Sequence, residues 1–138
     1  MEHSLYIGLC SNQGDRKALI DEALRLVGLY VGRVERVSSY YETEPWGFQS
    51  PHRFLNAAAL VMTELSPIGC LNETQGIERA LGRLTKTKDG AYEDRPIDID
   101  LLMYDDLHIQ TSRLVLPHPL IDQRDFVKIP LREIMSPA

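Results

Sequence analysis

The stretch Asp94-Arg95-Pro96-Ile97-Asp98-Ile99-Asp100-Leu101-Leu102 sets two carboxylates two positions apart inside a β-branched, apolar run. Such a run reads as a buried strand. Side chains alternate faces along a strand at ~3.3 Å per residue. Asp98 and Asp100 therefore share one face, ~6.6 Å apart at their Cα atoms, while Ile97, Ile99 and Leu101 take the other. Like charges on a core strand are costly unless something positive lies between them, a divalent cation or an arginine. Mg²⁺ prefers one or two carboxylates plus phosphate oxygens. A solvated strand face, or a pair satisfied by Arg95, is the alternative at this point.

Working outward, Ser4 to Cys10 alternates as a first strand, and Ser11-Asn12-Gln13-Gly14-Asp15 is a turn ending in a good N-cap. Leu19, Ile20, Ala23, Leu24, Val27, Tyr30 and Val31 keep helical spacing, with Gly32 where a left-handed C-terminal residue is expected. Arg33 to Tyr41 reads as a second strand and Phe54 to Thr63 as a third, paired antiparallel to it. Ser66-Pro67 opens a second helix to about Leu84, weakened locally by Gly76 and Gly82. Two long excursions interrupt the elements, Glu42 to Arg53 and Thr85 to Asp94, and long loops are usually functional. The order β-α-β-β-α-β predicts an α+β, ferredoxin-like antiparallel sheet with two helices on one face. Beyond Thr111 we expect loop, broken at Pro117-His118-Pro119, and a short helix over Phe126 to Met135.

Composition narrows the function classes. At 138 residues and 43% hydrophobic content the chain reads as one domain, residues 1–138, with a single core. No apolar run approaches a membrane span, and Met1-Glu2-His3-Ser4 lacks the basic start of a signal peptide, so the expected location is cytoplasmic. Cys10 and Cys70 read as small reduced core residues. A net charge of −5 argues against nucleic acid or an anionic membrane as partner. Yet Arg79, Arg83, Lys86, Lys88 and Arg95 cluster beside the paired aspartates, which suits a polyphosphate.

Several separated blocks carry a resemblance. These are Tyr41-Glu42-Thr43-Glu44-Pro45-Trp46-Gly47, Phe54-Leu55-Asn56, Gln75 with Glu78, and Gly82-Arg83, followed by Arg95 to Asp100, Leu116-Pro117-His118-Pro119 and Arg124-Asp125-Phe126. Together and in this order they resemble the 6-hydroxymethyl-7,8-dihydropterin pyrophosphokinase family of folate biosynthesis. The resemblance implies transfer of pyrophosphate from ATP to the pterin hydroxymethyl group, giving AMP, with Mg²⁺ required. Asp98 and Asp100 resemble the pair that holds two Mg²⁺ ions, and with Arg83 and Arg95 they form the implied catalytic set. The nucleotide side is implied for Gln75, Glu78, Arg83, Tyr92, Arg95, Ile99, Arg113, His118 and Arg124. The pterin side is implied for Thr43, Trp46, Phe54, Asn56, Asp98 and Phe126, the two phenylalanines as a stacking pair. Glu44 to Arg53 and Thr85 to Asp94 resemble the family's mobile loops, and Lys86 or Lys88 replaces an arginine found in some members at Thr85. A monomer or weak homodimer is expected.

Taken residue by residue, other readings stay open. Phe54 and Phe126 suit plain core packing, and Gln75 with Glu78 suits an ordinary polar helix face. A ferredoxin-like regulatory module would use the same fold, though it has no need of Asp98, Asp100, Arg83 and Arg95 around one cleft. A metal-dependent phosphohydrolase would use those groups without needing Phe54, Asn56 and Phe126.

Overall fold

The computed structural model describes residues 1–44, 53–82 and 96–135. Its elements are β1 (His3–Ser11), α1 (Arg16–Tyr30), β2 (Gly32–Val37), β3 (Tyr41–Thr43), β4 (Phe54–Thr63), α2 (Pro67–Ala80) and β5 (Asp98–Tyr104). A two-residue ribbon of β6 (Ile109–Gln110) and β7 (Val115–Leu116), a 3-10 turn (Ile121–Gln123) and α3 (Asp125–Met135) complete them. The main sheet runs β2-β4-β1-β5, every pair antiparallel, with β3 also on β4. This is the expected ferredoxin-like arrangement.

Local chemistry places both helix starts as anticipated. The Asp15 carboxylate accepts from the Ala18 N–H at 3.1 Å. Ser66 Oγ accepts from the Gly69 N–H at 3.0 Å, with Pro67 in the first turn. Each cap satisfies a donor that the first helical turn leaves over.

Three expectations are corrected. Gly32 does not end α1 in a left-handed turn; Val31 caps the helix in the right-handed region, and Gly32 begins β2. Glycine is needed there because a Cβ would lie 2.2 Å from the Met62 carbonyl oxygen, so β2 and β4 can approach only without a side chain. The second strand is broken in two. Buried Ser38 donates its N–H to the Ala58 carbonyl and takes the Ala58 N–H on its hydroxyl, and beyond it the register on β4 slips. Finally, α2 stops at Ala80, and Gly82 lies past its end at φ +106°, where glycine carries no steric penalty; Leu84 lies outside the described residues.

The two faces of the sheet do different work. Leu5, Ile7 and Leu9 of β1, Ala57, Ala59 and Val61 of β4, and Ile97, Ile99 and Leu101 pack under α1 and α2 through Ile20, Ala23, Val27, Cys70 and Ile77. A smaller cluster on the opposite face joins Ala58 and Leu102 to Leu131 and Ile134 of α3. α3 covers only part of that face, and the remainder carries the polar residues.

Candidate active site

Strand register assembles the site. Cys10 faces Asn56 across β1–β4 and Asp98 across β1–β5, so Asn56, Cys10 and Asp98 form one row over three strands. The next row is Ala58, Gly8 and Asp100. At ~4.8 Å between strands, the amide and the Asp98 backbone stand roughly 10 Å apart. Asp98 is only 7% exposed and Asp100 half-buried, while Ile97, Ile99 and Leu101 take the helix side as alternation requires. Paired carboxylates withdrawn from water this way favour a positive charge between them.

Asn56 is spent on one side and idle on the other. Its Nδ2 donates to the Thr43 hydroxyl at 2.7 Å and to the Tyr41 carbonyl at 3.1 Å. The carbonyl can only accept, so the amide orientation is determined and Oδ1 is left as an acceptor. Oδ1 is buried with no hydrogen-bond partner. An orphaned acceptor at 2% exposure costs about 1–3 kcal/mol, a cost removed by any ligand that brings an N–H.

α3 brings the aromatic wall. A narrow cleft of about 10 Å³ is lined by Gly8, Cys10, Asn56, Asp100, Phe126 and Val127. Phe54 lies two residues from Asn56 on the same strand face and is 7% exposed. Arg124 is 3% exposed, its guanidinium carbon 5.6 Å from the Phe126 ring centre, and its carbonyl accepts from the Val127 and Lys128 N–H groups. Burial pushes the Arg124 guanidinium down from its ordinary value, with Cys10 acting in the opposite sense, yet an arginine remains charged. The far end of α3 is tied to the sheet through Glu133, whose carboxylate accepts from the Ser39 N–H at 2.8 Å and from the Tyr41 hydroxyl.

His118 reaches the same region after β7. Its N–H donates to the Leu102 carbonyl at 2.8 Å, fixing the loop to β5, and its Nδ1 accepts from the Leu120 N–H at 3.2 Å. Nδ1 is therefore unprotonated and Nε2 carries the hydrogen. Burial lowers the His118 pKa, and the Asp98 charge opposes that only in part, so at neutral pH the ring is a neutral donor.

Other expected nucleotide contacts lie elsewhere. Glu78 is 2% exposed on α2, and its carboxylate accepts from the Ile99 N–H at 2.8 Å. It thus holds the carboxylate strand at the sheet edge, while the Ile99 side chain is buried toward the helices. Gln75 is half-exposed a turn earlier on α2, and Arg113 donates to the Asn72 side chain at 2.7 Å. The structure gathers Thr43, Phe54, Asn56, Asp98, Asp100, His118, Arg124 and Phe126 about the α3 face, but not Ile99 or Glu78 through their side chains. Trp46, Arg83, Tyr92 and Arg95 lie outside the described residues, as do Lys86 and Lys88.

Residues 6–136 match the family described as 7,8-dihydro-6-hydroxymethylpterin-pyrophosphokinase, HPPK. The chain belongs to that family. A 2-amino-4-hydroxy-6-hydroxymethyldihydropteridine pyrophosphokinase of Porphyromonas gingivalis is 50% identical over 131 residues, covering 94% of this chain and 89% of the relative. The Bacillus subtilis enzyme of the same name is 39% identical over 135 residues, 97% of this chain and 79% of the relative. Among solved structures, an HPPK-DHPS in complex with substrates superposes with a TM-score of 0.79 at 14% identity, over 97% of this chain. Plasmodium falciparum HPPK-DHPS gives 0.76 at 15% identity over 96% of it. The chain spans about two-fifths of those structures, 40% and 41%, and the likeness is one of fold.

Within this HPPK chain, two residues of the site escape sequence reasoning. Cys10 is corrected from core residue to cleft lining, its Sγ 4.0 Å from Asp98 Oδ2. The alternation Leu5, Ile7, Leu9 was the available signal, since it turns Cys10 to the face opposite the apolar residues. Glu133 carries no local signal; its role exists only once α3 lies over Ser39 and Tyr41.

Proposed function

We propose that this chain performs the HPPK reaction, transfer of pyrophosphate from ATP to the hydroxymethyl group of 6-hydroxymethyl-7,8-dihydropterin, on the α3 face of the sheet. The hydroxymethyl oxygen attacks the β-phosphorus, the bond to the α–β bridging oxygen breaks, AMP departs with that oxygen and the hydroxyl proton passes to water. The observation that carries the site is the idle, buried Oδ1 of Asn56, on the strand face of Phe54 and in one cleft with Phe126, in the row that ends at Asp98. A pterin edge supplies the N–H that Oδ1 lacks, and its flat ring suits the two phenylalanines.

Asp98 and Asp100 fit Mg²⁺: two carboxylates on one face leave the remaining ligands to phosphate oxygens and water, the mode this hard cation prefers. Among the described residues no third acidic, cysteine or histidine ligand joins them, consistent with sites that substrate phosphates complete. When bound, Mg²⁺ supplies neutralisation of the charge spread over the triphosphate; two ions are our reading. The protein's own contribution is positioning and electrostatics. Neutral His118 offers Nε2–H to a phosphate oxygen, Arg124 adds a fixed positive charge beside Phe126, and Arg83 and Arg95 are assigned to the triphosphate by resemblance. Gln75, Arg113 and Tyr92 are kept on the nucleotide side, and Trp46 with Thr43 on the pterin side. Glu78 and Ile99 act there by holding β5 in place. We place the enzyme in the cytoplasm as a single-domain monomer or weak homodimer; no described helix is long and apolar enough to cross a membrane.

The test is an assay of the purified chain with ATP, Mg²⁺ and the reduced pterin, following AMP and pterin diphosphate together. Equal appearance of both, abolished by a chelator, is expected. ADP or phosphate without modified pterin would instead indicate a hydrolase built on the same carboxylates.

A further inference from the structure

The chain has two cysteines, neither in a disulfide, and their settings differ. Cys70, on α2, is completely buried in the core beside the Thr63 hydroxyl. Cys10 is half-buried and lines the cleft with Gly8, Asn56, Asp100 and Phe126. Its neighbours on the strand row are Asn56, whose buried Oδ1 has no partner, and Asp98, 4.0 Å from the sulfur. Gly8, one row along, contributes no side chain, so the sulfur is the largest reactive atom on this floor. The cleft holds about 10 Å³, room for roughly one water, and Phe126 and Val127 are among its lining residues.

We propose that Cys10 is a thiol-modification site at which a low-molecular-weight disulfide shuts the heterocycle slot. The proposal rests on the pterin reading above. The Cys10 sulfur attacks one sulfur of the reagent, and a new S–S bond forms as the reagent's own S–S bond breaks. The departing half leaves with the bonding pair and takes up the proton that Cys10 releases. Cys10 is oxidised and the departing half is reduced; an added thiol reductant then cleaves the adduct, is itself oxidised, and returns Cys10 to the free thiol. Even the smallest adduct, a methylthio group, adds a sulfur and a carbon to a space for one water, directly between the Asn56 acceptor and Asp98. Heterocycle entry is blocked, while His118 and Arg124, which do not line the cleft, still hold the triphosphate.

Methyl methanethiosulfonate, a thiosulfonate that places a methylthio group on the thiol as its S–S bond breaks and methanesulfinate departs, is the probe. The treated chain is mapped by peptide mass. Binding of the reduced pterin is measured beside a non-hydrolysable ATP analogue, and analogue binding is measured alone, before and after reduction. The expected pattern is a single adduct on Cys10 with Cys70 unmodified, and pterin binding weaker by roughly tenfold or more. Analogue binding should be unchanged, and the reductant should restore pterin binding. Pterin bound beforehand should slow adduct formation, and in Cys10→Ser the reagent should change nothing. An adduct on Cys10 with pterin binding intact, or a Cys10 that stays unmodified, overturns the proposal alone. An untreated chain that binds no pterin overturns the functional reading and the proposal with it.

Discussion

Asn56 shows what one buried amide can decide. Both of its N–H groups are committed to Thr43 and Tyr41, so only a ligand donor can satisfy Oδ1. Replacing it with alanine removes that acceptor and also frees the Thr43 hydroxyl and Tyr41 carbonyl. Asn56→Ala should weaken pterin binding by about 1–3 kcal/mol, roughly tenfold to a hundredfold, and lower the melting temperature modestly, with ATP-analogue affinity unchanged. Calorimetric titration of each ligand separates these; equal loss of both would make Asn56 a purely structural residue. This amide was legible in the sequence because it stands two positions from Phe54 on one strand. Cys10 was not legible as its neighbour, because the row exists only once β1 lies between β4 and β5, and strand order is a property of the fold.

At the scale of elements, the helices and strands were readable wherever local chemistry decides them. Asp15 and Ser66 announce their helices, and the alternation of β1 and β5 sorts their faces. What was not readable depends on partners. Gly32 looks like a helix terminator until Met62 of β4 is seen 2.2 Å from where its Cβ would be. Glu78 looks like a polar surface residue until β5 presents the Ile99 N–H to it. α3 is placed by Glu133 in the same way, and its tether has a pH window. Hydrogen bonds from Tyr41 and then Ser39 hold the Glu133 pKa below the usual range, so its contribution is complete above the unfolded value near ~4.3 and is lost as pH falls through the lower folded value. The Glu133 carboxylate in turn raises the Tyr41 pKa, so the same bond persists below the unfolded tyrosine value near ~10 and is lost as pH rises through the folded one. Glu133→Ala should free the end of α3 and raise the pterin KM several-fold through Phe126, at little cost to kcat. Hydrogen exchange should quicken along α3 and not along α1; unchanged exchange in α3 would show that Leu131 and Ile134 hold the helix without the tether.

Taken whole, the molecule separates stability from chemistry by the two faces of one sheet. The α1/α2 face is a continuous apolar core. The α3 face trades apolar burial for Asp98, Asp100 and Asn56, which are costly to bury and which, in the function proposed above, meet a charged, planar substrate. β1 serves both at once: Ile7 points into the core at 0% exposure, and its neighbour Gly8 lies in the row with Asp100. Substitutions one and three positions apart in register on adjacent strands should therefore fail in opposite ways. Ile7→Ala leaves a cavity in the core and should cost about 2–5 kcal/mol of unfolding free energy, with kcat near normal in the fraction that remains folded. Asp98→Ala and Asp100→Ala relieve like-charge repulsion and should leave the denaturation midpoint at or above that of the parent. They should also lower turnover by roughly a hundredfold to a thousandfold or more, because the carboxylates that would hold the cation are gone. Urea titration beside steady-state assays reads both quantities on one preparation. Loss of folding in the aspartate variants with turnover preserved in the folded fraction would mean that the pair is structural and that the chemistry lies elsewhere.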